Sequence, residues 1–236
     1  MKRNRKNINQ DDKNIFTLSI GDLMAGLLLM FVLLLIGTIL RLREEFEYKG
    51  RIAERYEGIQ VSLYLALREE FKDDLNKWNA EIDPSLIIRF NEPDVLFDAG
   101  KSDLKDSFAN ILDDFFPRYI SVLQRTRYIA HIEEIRIEGH TSIEGGIGMN
   151  EEQAYFYNME LSQDRTRTVL KYCLKQLQAN TFEWTKKRTT ANGLSSVKPI
   201  ADNSTEQGRK RNRRVEFQIK TDAAAQLQEM LKYAKE

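Results

Sequence analysis

The sequence is poor in the residues that build covalently stapled or metal-held folds. Of its 236 residues, one is cysteine and two are histidine. Cys173 alone excludes an intramolecular disulfide framework and a cysteine-based zinc cluster. His131 and His140 leave little for a histidine metal site. Net charge is missing too: Lys and Arg number 36, and Asp and Glu number 36. The chain therefore lacks the basic excess of a dedicated nucleic-acid binder. No nucleophile–base pair or metal constellation stands out, so neither an enzyme nor a bound cofactor is expected. At about 150 residues per domain, the length allows one globular domain and something extra.

The extra part is apolar. From Leu23 to Leu40 run 18 residues without a charge, broken only by Gly26, Gly37 and Thr38. As a helix they rise about 27 Å, close to the hydrocarbon thickness of a bilayer. Adding Ile15 to Ile20 extends the candidate span to residues 15–40. A signal peptide has a shorter apolar core followed by a small-x-small site, and here the run ends in Gly37-Thr38-Ile39-Leu40-Arg41 instead. An uncleaved single-span anchor is the expectation. Lys2, Arg3, Arg5, Lys6 and Lys13 on one flank match Arg41, Arg43, Lys49, Arg51 and Arg55 on the other, so the positive-inside rule leaves orientation open.

Within this segment sits Asp22. A charged carboxylate at that depth is costly, and such residues usually face a partner helix or a water-filled path. A carboxyl that is neutral in lipid and charged at either face is what an ion carrier needs. The alternative is a capping box, Ser19-x-x-Asp22, in a helix starting at Ile20 and holding the acid at headgroup level. One helix makes no conduction path, so the carrier reading requires a membrane partner or a second copy of the chain.

Residues 41–83 contain no proline before Pro84, and Leu42, Phe46, Ala53, Tyr56, Leu63, Leu67, Phe71, Leu75 and Trp78 recur at helical spacing. They read as a helical connector, extended or folded back, that ends at Asp83-Pro84. A dimeric coiled coil is a weaker alternative, because Lys49 and Gln60 interrupt its seam. Residues 84–221 alternate strands (85–90, 95–97, 135–138, 214–219) with helices (103 to about 127, 161–177), an α+β domain. Residues 222–236 read as a C-terminal helix, and 1–14 as an N-terminal tail.

Four motifs in this domain, Val95-Leu96-Phe97-Asp98-Ala99-Gly100-Lys101, Ile137-Glu138-Gly139-His140-Thr141, Asn158-x-x-Leu161-Ser162-x-x-Arg165 and Asn212-Arg213-Arg214-Val215-Glu216, occur in the order seen in OmpA-like peptidoglycan-binding domains and resemble them. The resemblance implies a β-α-β-α-β core whose groove holds the diaminopimelate-bearing stem peptide of peptidoglycan. It sets Asp98, Thr141, Asn158, Leu161 and Arg165 along that groove. Arg165, read near the start of a helix, offers a two-donor fork for a carboxylate, with adjacent backbone amides adding anion affinity. One departure stands out: Ser142 occupies the place of the family's amine-binding Asp. Either an acid from the long insert that follows (Glu144, Glu151 or Glu152) replaces it, or affinity falls. Arg213 and Arg214 are expected to solvate and pack a strand edge, and His140 to be a turn or packing residue. The basic run 208–214 is not taken as a nucleic-acid site, because it lies beyond the span and within a family motif.

The tail, the span with its early acid, the connector and this domain together resemble the MotB class of stator subunits, with Ser19-Ile20-Gly21-Asp22-Leu23-Met24 similar to that class's Ser-x-x-Asp-Leu-Met. The resemblance implies a bacterial inner-membrane protein with its N-terminus in the cytoplasm and its C-terminal domain in the periplasm. It further implies that Asp22, with Ser19, carries protons or sodium ions, and that two copies stand inside a ring of ZorA-like (MotA-like) multi-span subunits. Gly139-His140-Thr141-Ser142, the long insert and the stretch 157–165 resemble the B subunit of Zorya anti-phage defence systems more than a flagellar subunit. A flagellar stator subunit and a passive peptidoglycan anchor without ion transport remain the alternatives.

Overall fold

The computed structural model describes residues 5–91 and 96–222, with side chains from Ile20 onward except 48–49 and 51–57. The expected C-terminal helix, Val95 of the expected strand 95–97 and the Ser19 side chain lie outside the described part. The chain divides into two compact units, residues 1–54 and 55–236.

In the first unit lies most of α1 (Arg5–Phe71). Within its segment Ile20–Glu47 the most apolar 18 residues have a mean hydropathy of 2.8 and none is buried, so it is long and apolar enough to cross a membrane. Asp22 stands exposed within it, and the helix begins well before Ile20. A helix that starts at Ile20 under a Ser19 cap is therefore not formed.

The second unit is a five-stranded sheet covered on one face by helices. The strands are β1 (Ala80–Asp83), β2 (Ile87–Phe90), β3 (Ile132–His140), β4 (Thr189–Gly193) and β5 (Arg214–Thr221). Their order is β1-β2-β5-β3-β4, with β3 and β4 parallel and the other neighbours antiparallel. The helices are α2 (Asp106–Leu123), α3 (Glu151–Lys175), α4 (Ala179–Lys186) and α5 (Glu206–Asn212). Alternation sends Ile135, Ile137, Val215, Phe217, Ile88 and Phe90 into the apolar core. There Phe90, Phe115 and Phe217 meet at ring-centroid distances of 5.0 to 5.8 Å. Each such ring contributes about 1.5–3 kcal/mol by burial.

Several elements differ from the sequence expectation. The connector is helical only to Phe71, where the Phe71 carbonyl accepts from Asp74 and Leu75 N–H and the chain turns through Asn79, at φ 47°, into β1. The apolar period runs on past the helix end because Leu75 and Trp78 pack on the same core from the turn, with Trp78 5.7 Å from Phe71 and 6.1 Å from Phe115. Residues 85–90 form a strand only from Ile87, since Leu86 sits at φ 63°. Phe97 is no sheet strand: it makes an isolated bridge to Leu104 that closes a loop. Pro117 lies inside α2 without ending it. α3 starts ten residues before Leu161, under a capping box between Asn150 and Gln153. β4, α4 and α5 were not expected; Thr189-Thr190-Ala191-Asn192-Gly193 offers too little apolar alternation to read as a strand.

Candidate functional site

Two glycines set the site. Gly139 on β3 is paired with Gly193 on β4. A Cβ on Gly139 would lie 2.8 Å from the Ser162 carbonyl oxygen, and one on Gly193 would lie 2.2 Å from the Gln163 nitrogen. The α3 backbone therefore rests directly on the sheet at this pair. Gly193 N–H donates to Gln163 Oε1 (2.8 Å) and Ser195 N–H to Ser162 Oγ (3.0 Å), which fixes the helix's rotation. Asn158, Leu161 and Arg165 are thereby presented to a cavity of about 320 Å³ that Phe97, Thr141, Ser142, Glu144, Tyr157 and Arg213 also line.

Arg165 lies in the middle of α3, not near its start, so no free helix-terminal amides adjoin it. Its Nε donates to the Lys101 carbonyl (2.8 Å) and Nη2 to the Asp98 carbonyl (3.1 Å), while its guanidinium lies 4.9 Å from the Phe97 ring centroid. The turn that offers both carbonyls closes through Lys101 N–H to Asp98 O (3.1 Å), with Gly100 at φ 69°. Burial lowers the Arg165 pKa to about 10, Arg213 adding to the effect and Tyr157 opposing it, so the side chain stays charged at neutral pH. Among the described residues no carboxylate pairs with it. A buried cation held by carbonyls and facing a cavity is a preformed anion site.

Of the other expected groove residues, Thr141, Ser142, Asn158 and Leu161 line the cavity. Thr141 Oγ1 is buried without a partner among the described residues. Asn158 Nδ2 donates to the carbonyls of Ser142 (3.2 Å) and Glu144 (2.9 Å), pinning the start of the insert. Asp98 takes part through its main chain. Its carboxylate points to solvent between Lys101 (3.3 Å) and Lys105 (3.2 Å), whose ammonium groups hold it below the usual carboxylate range.

Of the insert acids, Glu144 lines the cavity, whereas Glu151 and Glu152 occupy the first turn of α3, where they favour the helix N-terminus. Glu144 Oε1 lies 2.7 Å from Arg209 Nε, and Oε2 lies 3.4 Å from Arg213 Nη1. Arg213 is thus a cavity residue rather than strand-edge packing. Strand period could have shown that it and Arg214 face opposite ways. Tyr157 and Phe97 carried no chemical signal and were missed.

Beneath the groove, on the sheet face away from the helices, lies a buried charged cluster. Glu216 accepts from Arg214 Nε (2.6 Å) and Arg89 Nε (2.8 Å). Burial works against its charge, but His140 and Arg214 beside it outweigh that and hold its carboxyl far below the usual range. His140 is the last residue of β3, not a turn residue; among the described residues its ring nitrogens have no hydrogen-bond partner, and Nε2 lies 3.6 Å from Glu216 Oε2. Burial favours its neutral form. Donor atoms of Glu138, His140 and Glu216 lie within 4.8 Å of one another. Two guanidiniums already engage Glu216 there, which makes the cluster a poor fit for a cation.

The OmpA family model matches residues 96–213. The chain is 44% identical over 225 residues to the Zorya protein ZorB of Escherichia coli, covering 94% of each chain. It is 32% identical to outer membrane porin F of Pseudomonas aeruginosa over 55% of this chain and 31% of the porin. Its fold is similar to that of a MotB-like protein from Desulfovibrio vulgaris, with a TM-score of 0.53 at 24% identity, over 71% of this chain and 98% of that one. A groove built on Arg165, an OmpA-type domain and a likeness to ZorB over nearly the whole length place the chain in the OmpA family, as a member of the Zorya ZorB group.

Proposed function

We propose that this chain is the wall-anchored, ion-carrying B subunit of a membrane motor in anti-phage defence. The observation that carries the anchoring half is Arg165: buried, without an acidic partner among the described residues and open to a cavity of about 320 Å³ in an OmpA-family domain. It takes a carboxylate of the diaminopimelate residue in a peptidoglycan stem peptide, and Thr141, Asn158 and Leu161 shape the rest of the site. A wall ligand puts this domain in the periplasm and the N-terminus of α1 in the cytoplasm. Likeness to ZorB from end to end supports the defence role over motility.

In the ion-carrying half, Asp22, in a segment able to span the membrane, binds and releases a proton or sodium ion, with Ser19 one turn before it. Because one helix cannot enclose a path, a ring of multi-span partner subunits and a second copy of this chain surround it. Ion flow turns the ring against B chains held still by the wall.

The anchoring half is tested by pelleting the detergent-solubilised full chain with purified sacculi. Wild type co-sediments, and Arg165→Ala weakens binding at least about tenfold, the worth of a lost charge-assisted hydrogen bond. Unchanged sedimentation removes Arg165 from the site.

A further inference from the structure

The cavity holds a second charged device, and its parts come from opposite walls. Glu144 stands at the start of the insert, on a main chain that Asn158 clamps at two carbonyls. Its side chain is about half exposed, with Oε1 paired to Arg209 Nε (2.7 Å) and Ser142 Oγ donating to Oε2 (3.5 Å). Facing it, Arg209 is tied through Nη1 to the carbonyls of Asn203 (3.0 Å) and Ser204 (3.2 Å). Arg213 is held differently: its guanidinium reaches Glu144 Oε2 at 3.4 Å, and that long contact is its one ion pair among the described residues. Glu144 and Arg213 both line the cavity that Arg165 faces.

We propose that the Glu144–Arg213 pair is an exchangeable latch that makes the groove selective for a zwitterion. A ligand ammonium takes the Glu144 oxygen that Arg213 now holds, and the freed Arg213 joins Arg165 on the ligand's carboxylate. One internal ion pair is exchanged for two ligand ion pairs, so no charge is left desolvated and unpaired. A ligand with the carboxylate alone cannot open the latch and gains only Arg165. A ligand with the ammonium alone leaves Arg213 and Arg165 crowding each other. The inference rests on the groove's being the stem-peptide site, and it deepens that reading. The terminal amine of diaminopimelate is free in an uncross-linked stem and an amide in a stem cross-linked through it, so the latch directs the groove to stems whose amine is not cross-linked.

The test is calorimetric titration of the detergent-solubilised full chain with two probes. One is a stem tripeptide ending in diaminopimelate with its terminal amine free, and the other is the same peptide acetylated on that amine. Wild type binds the free-amine probe at least about tenfold more tightly. Glu144→Gln reduces that affinity to the level of the acetylated probe, and adding Ser142→Asp to Glu144→Gln restores discrimination by supplying an acid on the same turn. Equal binding of both probes by wild type overturns the latch, as does discrimination that survives in Glu144→Gln. Loss of both probes by Glu144→Gln without rescue by the double variant also overturns it, since Glu144 would then only hold the loop. Arg165→Ala separates the two claims: it loses both probes if the groove is the stem-peptide site, and retention of both defeats that assignment whatever Glu144 does.

Discussion

Arg165 binds main-chain oxygens where an arginine of a surface ion pair would bind an acid. That choice keeps its charge unneutralised until a ligand arrives. It also makes the fork geometry matter: a lysine cannot span the Lys101 and Asp98 carbonyls and still face the cavity. Arg165→Lys should therefore lose sacculus binding nearly as fully as Arg165→Ala in the same pelleting measurement. The buried acid Glu216 gives a second prediction at this scale. Its pKa is depressed below the ordinary 4.5, so the stability it contributes is present above that value and is lost as pH falls through the native one. His140 is depressed below 6.5, so the unfolded chain takes up that proton first and stability begins to fall below about that pH. Glu216→Gln strands Arg214 and should cost about 3–5 kcal/mol at neutral pH. Melting curves should show the gap to wild type narrowing below about pH 4, whereas a constant gap would show that Glu216 is not ionised in the fold.

At the scale of elements, two contacts govern the domain. The glycine pair Gly139 and Gly193 lets α3 touch the sheet backbone. Gly193→Ala should push the helix away and cost about 1–3 kcal/mol by overpacking, seen as a lower melting temperature together with weaker sacculus binding. The end of α1 is tied to α2 by Arg118, which donates to the Glu70 carboxylate (2.9 Å), the Glu70 carbonyl (2.6 Å) and Asp74 (2.9 Å). Leu63, Leu67 and Phe71 lie fully buried beside it. Arg118→Ala should cost about 1–3 kcal/mol and speed hydrogen exchange in residues 63–74, and unchanged exchange would show that apolar packing alone holds the helix end.

The sequence disclosed these elements unevenly, for physical reasons. β3 and β5 are legible because one of their faces is apolar at every second residue, and α2 because eight of its residues are buried on one stripe. β4 is an edge strand with polar side chains, and the first turns of α3 hold Tyr155, Phe156 and Tyr157 in succession with the first two exposed, so neither shows an apolar period. Helical spacing persisted through Leu75 and Trp78 because a turn can deliver side chains to a core as a helix does. Within the site, Arg165, Asn158, Thr141 and Ser142 were legible as side chains. Asp98 does not line the cavity, and its carbonyl rather than its carboxylate meets Arg165. The Glu144–Arg213 contact joins residues 69 positions apart and is visible only in three dimensions.

At the scale of the whole molecule, the chain joins a segment able to cross a membrane, interrupted near its start by one acid, to a domain with a cationic groove. A passive tether needs the groove and any sufficiently apolar helix. A motor subunit needs the groove and the acid. The most direct measurement is phage plaquing on cells that carry this chain with the multi-span subunits proposed to surround it, comparing wild type and Asp22→Asn at equal membrane levels and equal sacculus binding. The account predicts that Asp22→Asn loses protection while the protein still assembles and holds the wall. Full protection by Asp22→Asn would contradict the account and leave only an anchor.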